Sequence, residues 1–235
     1  MSYARSDARK AFDCKILSLK RTARTASYNI NSVPNSVRDL TYHAAIFEAS
    51  ACLEEYIRTL IDGVEYLLKS NSKAVDHLPK ELRTFLFINN IKVKFKNYYL
   101  SEDEGRALRE LQIRKPLYNI LHDEQVVDST LRIDSVYTNK KYPSVNNWRL
   151  LFKRLGISDI YGSVSSILSR DSEAILDSFN DVRTAIAHQI PPSLTINDVI
   201  RHLDNLIVFI RATDRVVYRH LVRDVGSECW PDGSS

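Results

Sequence analysis

Ser172-Glu-Ala-Ile-Leu-Asp-Ser-Phe-Asn-Asp-Val-Arg183-Thr-Ala-Ile-Ala-His188, followed by Gln189-Ile190-Pro191-Pro192, is the stretch on which the reading of this chain turns. At about 100° per residue, Ile175, Phe179, Val182, Ile186 and Ile190 recur at three- and four-residue spacing and form an apolar stripe of the kind that faces a core. Asn180, Asp181, Thr184 and His188 share a polar arc on the opposite side, and Arg183 borders it. Two consecutive prolines cannot continue a helix, so the element stops just beyond His188. The spacing therefore predicts a helix over 172–189, half core and half polar surface.

Working outward, helical periodicity dominates and strand-like alternation is scarce. A basic helix is expected near 5–28, then a polar break at Asn29 to Asn35, then a long apolar helix over about 36–70. Pro79 opens a helical stretch to about Tyr98, and Ser101 with Glu104 reads as a capping-box start for a short helix. Residues 113–144 are the least regular part, with room for a short hairpin, and helices at about 145–155 and 195–223 complete the set. Six glycines and seven prolines in 235 residues leave room for long helices. The expected fold is an all-α, up-and-down bundle of four to five helices in a single domain. Its helical core spans 36–223, with a basic N-terminal extension over 1–35, an irregular insertion around 113–144 and a flexible tail over 224–235.

Charge and composition narrow the function classes. A formal net charge of +4 permits nucleic-acid binding without demanding it. Residues 1–40 hold eight Lys or Arg against three acids. Lys92-Val-Lys94-Phe-Lys96 with Tyr98 and Tyr99, and Lys140-Lys141-Tyr142, interleave cations with aromatic rings. Such mixtures suit phosphate contact with base stacking. The alternative is a solvated cationic face whose aromatics pack inward. Cys14, Cys52 and Cys229 are odd in number and widely spaced, and the six histidines show no ligand spacing, so neither a disulfide framework nor a metal site nor another cofactor is expected. With no signal-like segment and no uncharged run near the ~20 residues that span a bilayer, a cytoplasmic protein without membrane contact is expected.

The polar arc carries the chemistry. His188, with an ordinary pKa of about 6.5, can move protons near neutral pH. Arg183 offers a fork of donors that matches phosphate oxygens. The two lie about 140° apart on the helix, too far for a tight pair unless the arginine folds across, and this suits a cleft shared between two chains. Thr184, one turn before His188, is a hydrogen-bond neighbour for the imidazole. Arg-x4-His also occurs at Arg38 to His43 and Arg215 to His220. The first reads as the start of the long helix, and the second lies on a row of arginines at 211, 215, 219 and 223 that reads as a solvated face.

Several segments in order resemble HEPN domains of the RiboL-PSP-HEPN type. Asn146 through Ile157, with its Leu155-Gly156-Ile157 turn, is similar to the family's helix ending in a Leu-Gly-hydrophobic turn. Asp181 through His188 is similar to its Arg-x4-His helix, and Thr195 through Tyr218 to its closing helix. Ala44 through Leu68, centred on Leu53-Glu54-Glu55-Tyr56-Ile57, looks like its long first helix. The resemblance implies a metal-independent endoribonuclease acting as a homodimer on RNA, with Arg183 and His188 as catalytic residues and 2',3'-cyclic phosphate and 5'-hydroxyl ends as products. A role as toxin or antiphage effector, with an antitoxin or defence partner, is implied likewise. Glu54 matches an acidic position that could orient Arg183 or His188; otherwise it pairs with Arg58 at i,i+4. Thr184 stands where active members often have Asn, Asp or His. That departure keeps an alternative in view, a non-catalytic module binding RNA, a nucleotide or a protein. Ile190 replaces the Tyr through which some members are silenced. A purely structural dimerisation domain is the third reading.

Overall fold

The computed structural model describes residues 3–28, 32–113, 115–127, 132–133, 135–138, 143–188 and 193–233. Among the described residues the regular structure is helical: α1 (Asp7–Tyr28), α2 (Asn35–Ser70), α3 (Lys80–Ser101), α4 (Glu104–Ile113), α5 (Ser135–Thr138), α6 (Val145–Arg154), α7 (Ile160–Leu168), α8 (Ser172–His188) and α9 (Ile196–Asp224). No helix among them is long and apolar enough to cross a membrane.

α9 is the central element. Thr195 caps it through a full capping box with Asp198, which satisfies donors that the first turn leaves open. Its Val199, Leu203, Leu206, Phe209 and Ile210 are buried, and it packs on α1, α2, α7 and α8. Trp148 of α6 stacks near Phe209, with ring centroids 5.3 Å apart. Just past the end of α6, Gly156 takes φ +85°, and Ile157 N–H closes the turn by donating to the Phe152 carbonyl at 2.9 Å. A Cβ at Gly156 would come within 2.9 Å of Pro79 Cβ and of His220 Nε2, so both the conformation and the close approach require glycine.

Three expectations are corrected. The segment expected as an extension, 1–35, contains α1, which is part of the core: Ala8, Phe12, Ile16 and Ala23 are buried against α2 and α9. Its high charge hid an apolar stripe at helical spacing. The tail expected as flexible is packed as far as it is described. Cys229 and Trp230 are buried, Trp230 Nε1 donates to the Ala4 carbonyl at 3.0 Å, and Asp7 N–H donates to the Pro231 carbonyl at 2.8 Å. An indole with a partner for its N–H is large enough to anchor a short segment. Asp103, rather than Ser101, caps α4: its carboxylate accepts the Arg106 N–H at 2.8 Å, while Ser101 ends α3 and Glu102 turns the chain with φ 49°. The region around 113–144 shows a 3-10 turn at Lys115–Leu121, the short α5 and an isolated bridge between Ala74 and Val126, with no hairpin among the described residues. α7 went unanticipated, its nine residues being too short to show a period.

A buried polar network joins α1, α2 and α9. Asp214 is fully buried. Its carboxylate accepts from the Tyr3 hydroxyl at 2.5 Å, the Ser6 hydroxyl at 2.5 Å, the Ser6 N–H at 3.2 Å and the Tyr56 hydroxyl at 3.2 Å. Arg9, itself buried, donates to the Tyr3 hydroxyl at 2.6 Å and lies 3.5 Å from Asp13. Burial and the neighbouring Asp214 push both tyrosine hydroxyls far above their usual pKa. A buried carboxylate is tolerable when its oxygens are filled in this way.

Candidate functional site

The helix carrying the Arg-x4-His spacing is anchored at its start and near its middle. Asp171 accepts the Ala174 N–H at 3.0 Å, and the buried Ser172 hydroxyl donates to the Tyr161 carbonyl at 2.9 Å. Of the predicted stripe, Ile175, Phe179 and Ile186 are buried, with Leu176 beside them, Val182 is half-buried, and Ile190 lies outside the described residues. Asn180, read as part of the polar arc, is buried instead, and its amide donates to the Pro143 carbonyl at 3.1 Å. It sits at the edge of the arc nearest the chain entering α6, so it fixes α8 rather than facing solvent. Asp181 and Thr184 are exposed, as expected.

Arg183 is half-buried, and its guanidinium carbon lies 5.6 Å from the ring centroid of Phe47 on α2. A cation over an aromatic face is attracted by the ring quadrupole. Phe47 is 37% exposed. Sequence reasoning missed it, although an aromatic on the outward stripe of α2, between Leu40 and Glu54, was a readable signal. His188 is the last residue of α8; its side chain lies outside the described set, as do Lys140 and Lys141 and the Lys94 side chain.

Glu54 falls two turns beyond Phe47 on the same stripe of α2, about 20° apart. It lines a cleft of roughly 440 Å³ between α1 and α2, together with Lys15, Ser18, Glu48 and Arg58. Arg58 pairs with Glu55 at 3.1 Å. Tyr56, two residues on, points the other way, into the Asp214 network. The acidic and tyrosine positions of this helix are thus divided between an outer cleft and the core.

The two competing Arg-x4-His spacings are occupied by structural roles. Arg38 donates to Asn35 at 2.6 Å at the start of α2. Arg215 lies over Tyr3 at 5.5 Å, while His220 is wedged beside Gly156, 2.7 Å from Arg223 and 3.2 Å from Asp224. Burial pushes the His220 pKa below its ordinary value despite Asp224. Of the weak basic candidates, Lys92 and Lys96 are exposed on α3. Among the described residues no group of three His, Cys, Asp or Glu is placed to hold a metal ion.

A family model described as RiboL-PSP-HEPN matches residues 14–219. No curated protein and no solved structure matches the chain.

Proposed function

The chain belongs to the RiboL-PSP-HEPN family, whose HEPN relatives are often ribonucleases, and on that premise we propose that it is a metal-independent endoribonuclease using Arg183 and His188. In this reading His188 takes the proton of an RNA 2'-hydroxyl, the 2'-oxygen attacks the adjacent phosphorus, and the 5'-oxygen leaves with a proton from an acid. Arg183 donates to the non-bridging oxygens, where negative charge accumulates. The products are a 2',3'-cyclic phosphate and a 5'-hydroxyl, and DNA, which lacks the 2'-hydroxyl, is spared.

The observation that supports this best is the seating of Arg183: half-buried against Phe47, beside exposed Asp181 and Thr184, on the helix that ends at His188. The 140° offset between the two catalytic residues favours a homodimer in which each chain completes the other's cleft, one histidine serving as base and the other as acid. A toxin or antiphage role, with a partner protein that restrains it, accords with the family. Thr184 favours a second reading, a HEPN module that binds RNA or a nucleotide without cleaving it.

The test is incubation of the protein with RNA in excess EDTA, beside His188→Ala and Arg183→Ala. Cyclic-phosphate ends that both substitutions abolish establish the enzyme. Loss of about 10²–10³ in rate is the usual consequence of removing one such donor. RNA that stays intact with a folded dimer, yet is retained by it, moves the assignment to the binding module.

A further inference from the structure

α3 and α4 form a hairpin whose outer half is not absorbed by the bundle. Leu82 and Leu86 are buried, but beyond them the exposed side chains Ile88, Lys92, Phe95, Lys96 and Tyr99 fall on one side of α3. By helical register they occupy an arc of about 100°. Phe95 is 56% exposed and Tyr99 75% exposed, which runs against the alternative in which these aromatics pack inward. No residue of α4, all of it described, is buried either.

The charge on this face has one sign. From Leu82 to Ser101 the sequence holds no Asp or Glu, and the carboxylates Glu102, Asp103 and Glu104 lie at the turn into α4. Arg83 is committed inward, to the Ile120 carbonyl at 3.1 Å and Asp123 at 2.6 Å. Lys92 and Lys96 take part in no ion pair among the described residues. Two lysines interleaved with two outward rings one turn apart would be repelled in a twofold contact with a second copy, since an isologous interface sets each patch against itself. The same arrangement matches a polyanion whose flat bases are unstacked.

We propose that the outward stripe of α3 is a platform for single-stranded RNA, with Phe95 and Tyr99 stacking on bases and Lys92 and Lys96 contacting phosphates. This deepens, and rests on, the reading of the chain as an RNA-acting protein, by assigning where the strand is held outside the Arg183 and His188 pair. A duplex hides the base faces and binds this stripe only through its phosphates.

The experiment uses the full chain carrying His188→Ala, in EDTA, with a labelled single-stranded RNA of about 12 nucleotides, within the range of site sizes for such platforms. Anisotropy is followed over a range of NaCl concentrations. Phe95→Ala with Tyr99→Ala weakens binding by about tenfold or more and leaves the salt slope unchanged. Lys92→Gln with Lys96→Gln reduces that slope by about 1.4, the share of two phosphates on a single strand. Thermal melting is unchanged in both, because the side chains are exposed. Cleavage of the same RNA by the His188 protein, together with parent-like binding by both double variants, overturns this inference and leaves the enzyme standing. Absence of RNA binding by the parent overturns both. A dimer that becomes monomeric in sedimentation when Phe95 and Tyr99 are removed assigns the face to a second copy and overturns the platform.

Discussion

Asp214 on α9 and Arg183 on α8 are charged residues of the same bundle in opposite circumstances. Asp214 is fully buried and accepts from four donors on Tyr3, Ser6 and Tyr56. Arg183 is half-buried, and its guanidinium lies over the exposed ring of Phe47. A buried charge persists only where its surroundings saturate it, so a saturated one belongs to architecture. A half-buried cation beside an aromatic ring keeps part of its surface toward solvent, where an anionic ligand can approach. The contrast predicts that the two substitutions separate stability from activity.

The largest effect is expected at Asp214. Asp214→Ala removes the common acceptor of Tyr3, Ser6 and Tyr56 and leaves buried Arg9 with only Asp13 and an uncompensated hydroxyl nearby. A loss of about 3–5 kcal/mol follows, the range for breaking a buried ionic network, or a melting point lower by roughly 6–20 °C for a domain of this size. Arg183→Ala lowers the melting point by less than about 4 °C while removing activity. A stable, well-folded Asp214→Ala protein would erase the distinction between the two regions.

Much of the second region was legible in the sequence, and little of the first. The stripe of Ile175, Phe179 and Ile186 fixed both the existence and the facing of α8, because period and burial coincide there. The closing helix α9 was legible from its cap and apolar pattern. Asp214 was not, since an acid flanked by Thr213 and Arg215 looks like surface until the partners arrive from residues more than 150 positions away. The packing of α1 and of Trp230 was hidden for the same reason: a basic helix and a short tail acquire their burial from each other and from α9. At the candidate site, spacing singled out Arg183 as a candidate but not Phe47, which a different helix supplies, and it placed Asn180 on the wrong side of the arc's edge.

Phe47 sharpens the comparison at an intermediate scale. Phe47→Ala removes the ring beneath Arg183 and should lower cleavage by about 2- to 30-fold, the range of one cation–π contact, with a small change in melting because the ring is already 37% exposed. Phe47→Trp, which presents a stronger aromatic face, retains activity. Equal loss in both variants, measured as kcat/KM on one RNA, would mean that Phe47 acts through shape rather than through its hold on the guanidinium.

The smallest effect concerns pH and lies between the two regions. His202 of α9 is buried against Phe179 of α8, ring centroids 6.4 Å apart, and burial holds its pKa below the ordinary value. The folded state therefore prefers the neutral imidazole. Its stabilising contribution is complete above about pH 6.5, the unfolded value, and is lost as pH falls through the depressed folded value. His220 contributes with the same sign. Asp13, raised by burial, has the opposite one: its contribution is present at low pH and is lost as pH rises through its folded value. The melting point should thus fall between pH 7 and pH 5, and His202→Gln should flatten that fall without abolishing it, since His220 remains. On the proposed role of His188, the pH profile of RNA cleavage should keep its shape in His202→Gln. A profile that shifts along with the melting curve would show that the histidine behind α8 and the one at its end titrate as a coupled pair, and the separation of fold from chemistry in this helix would fail.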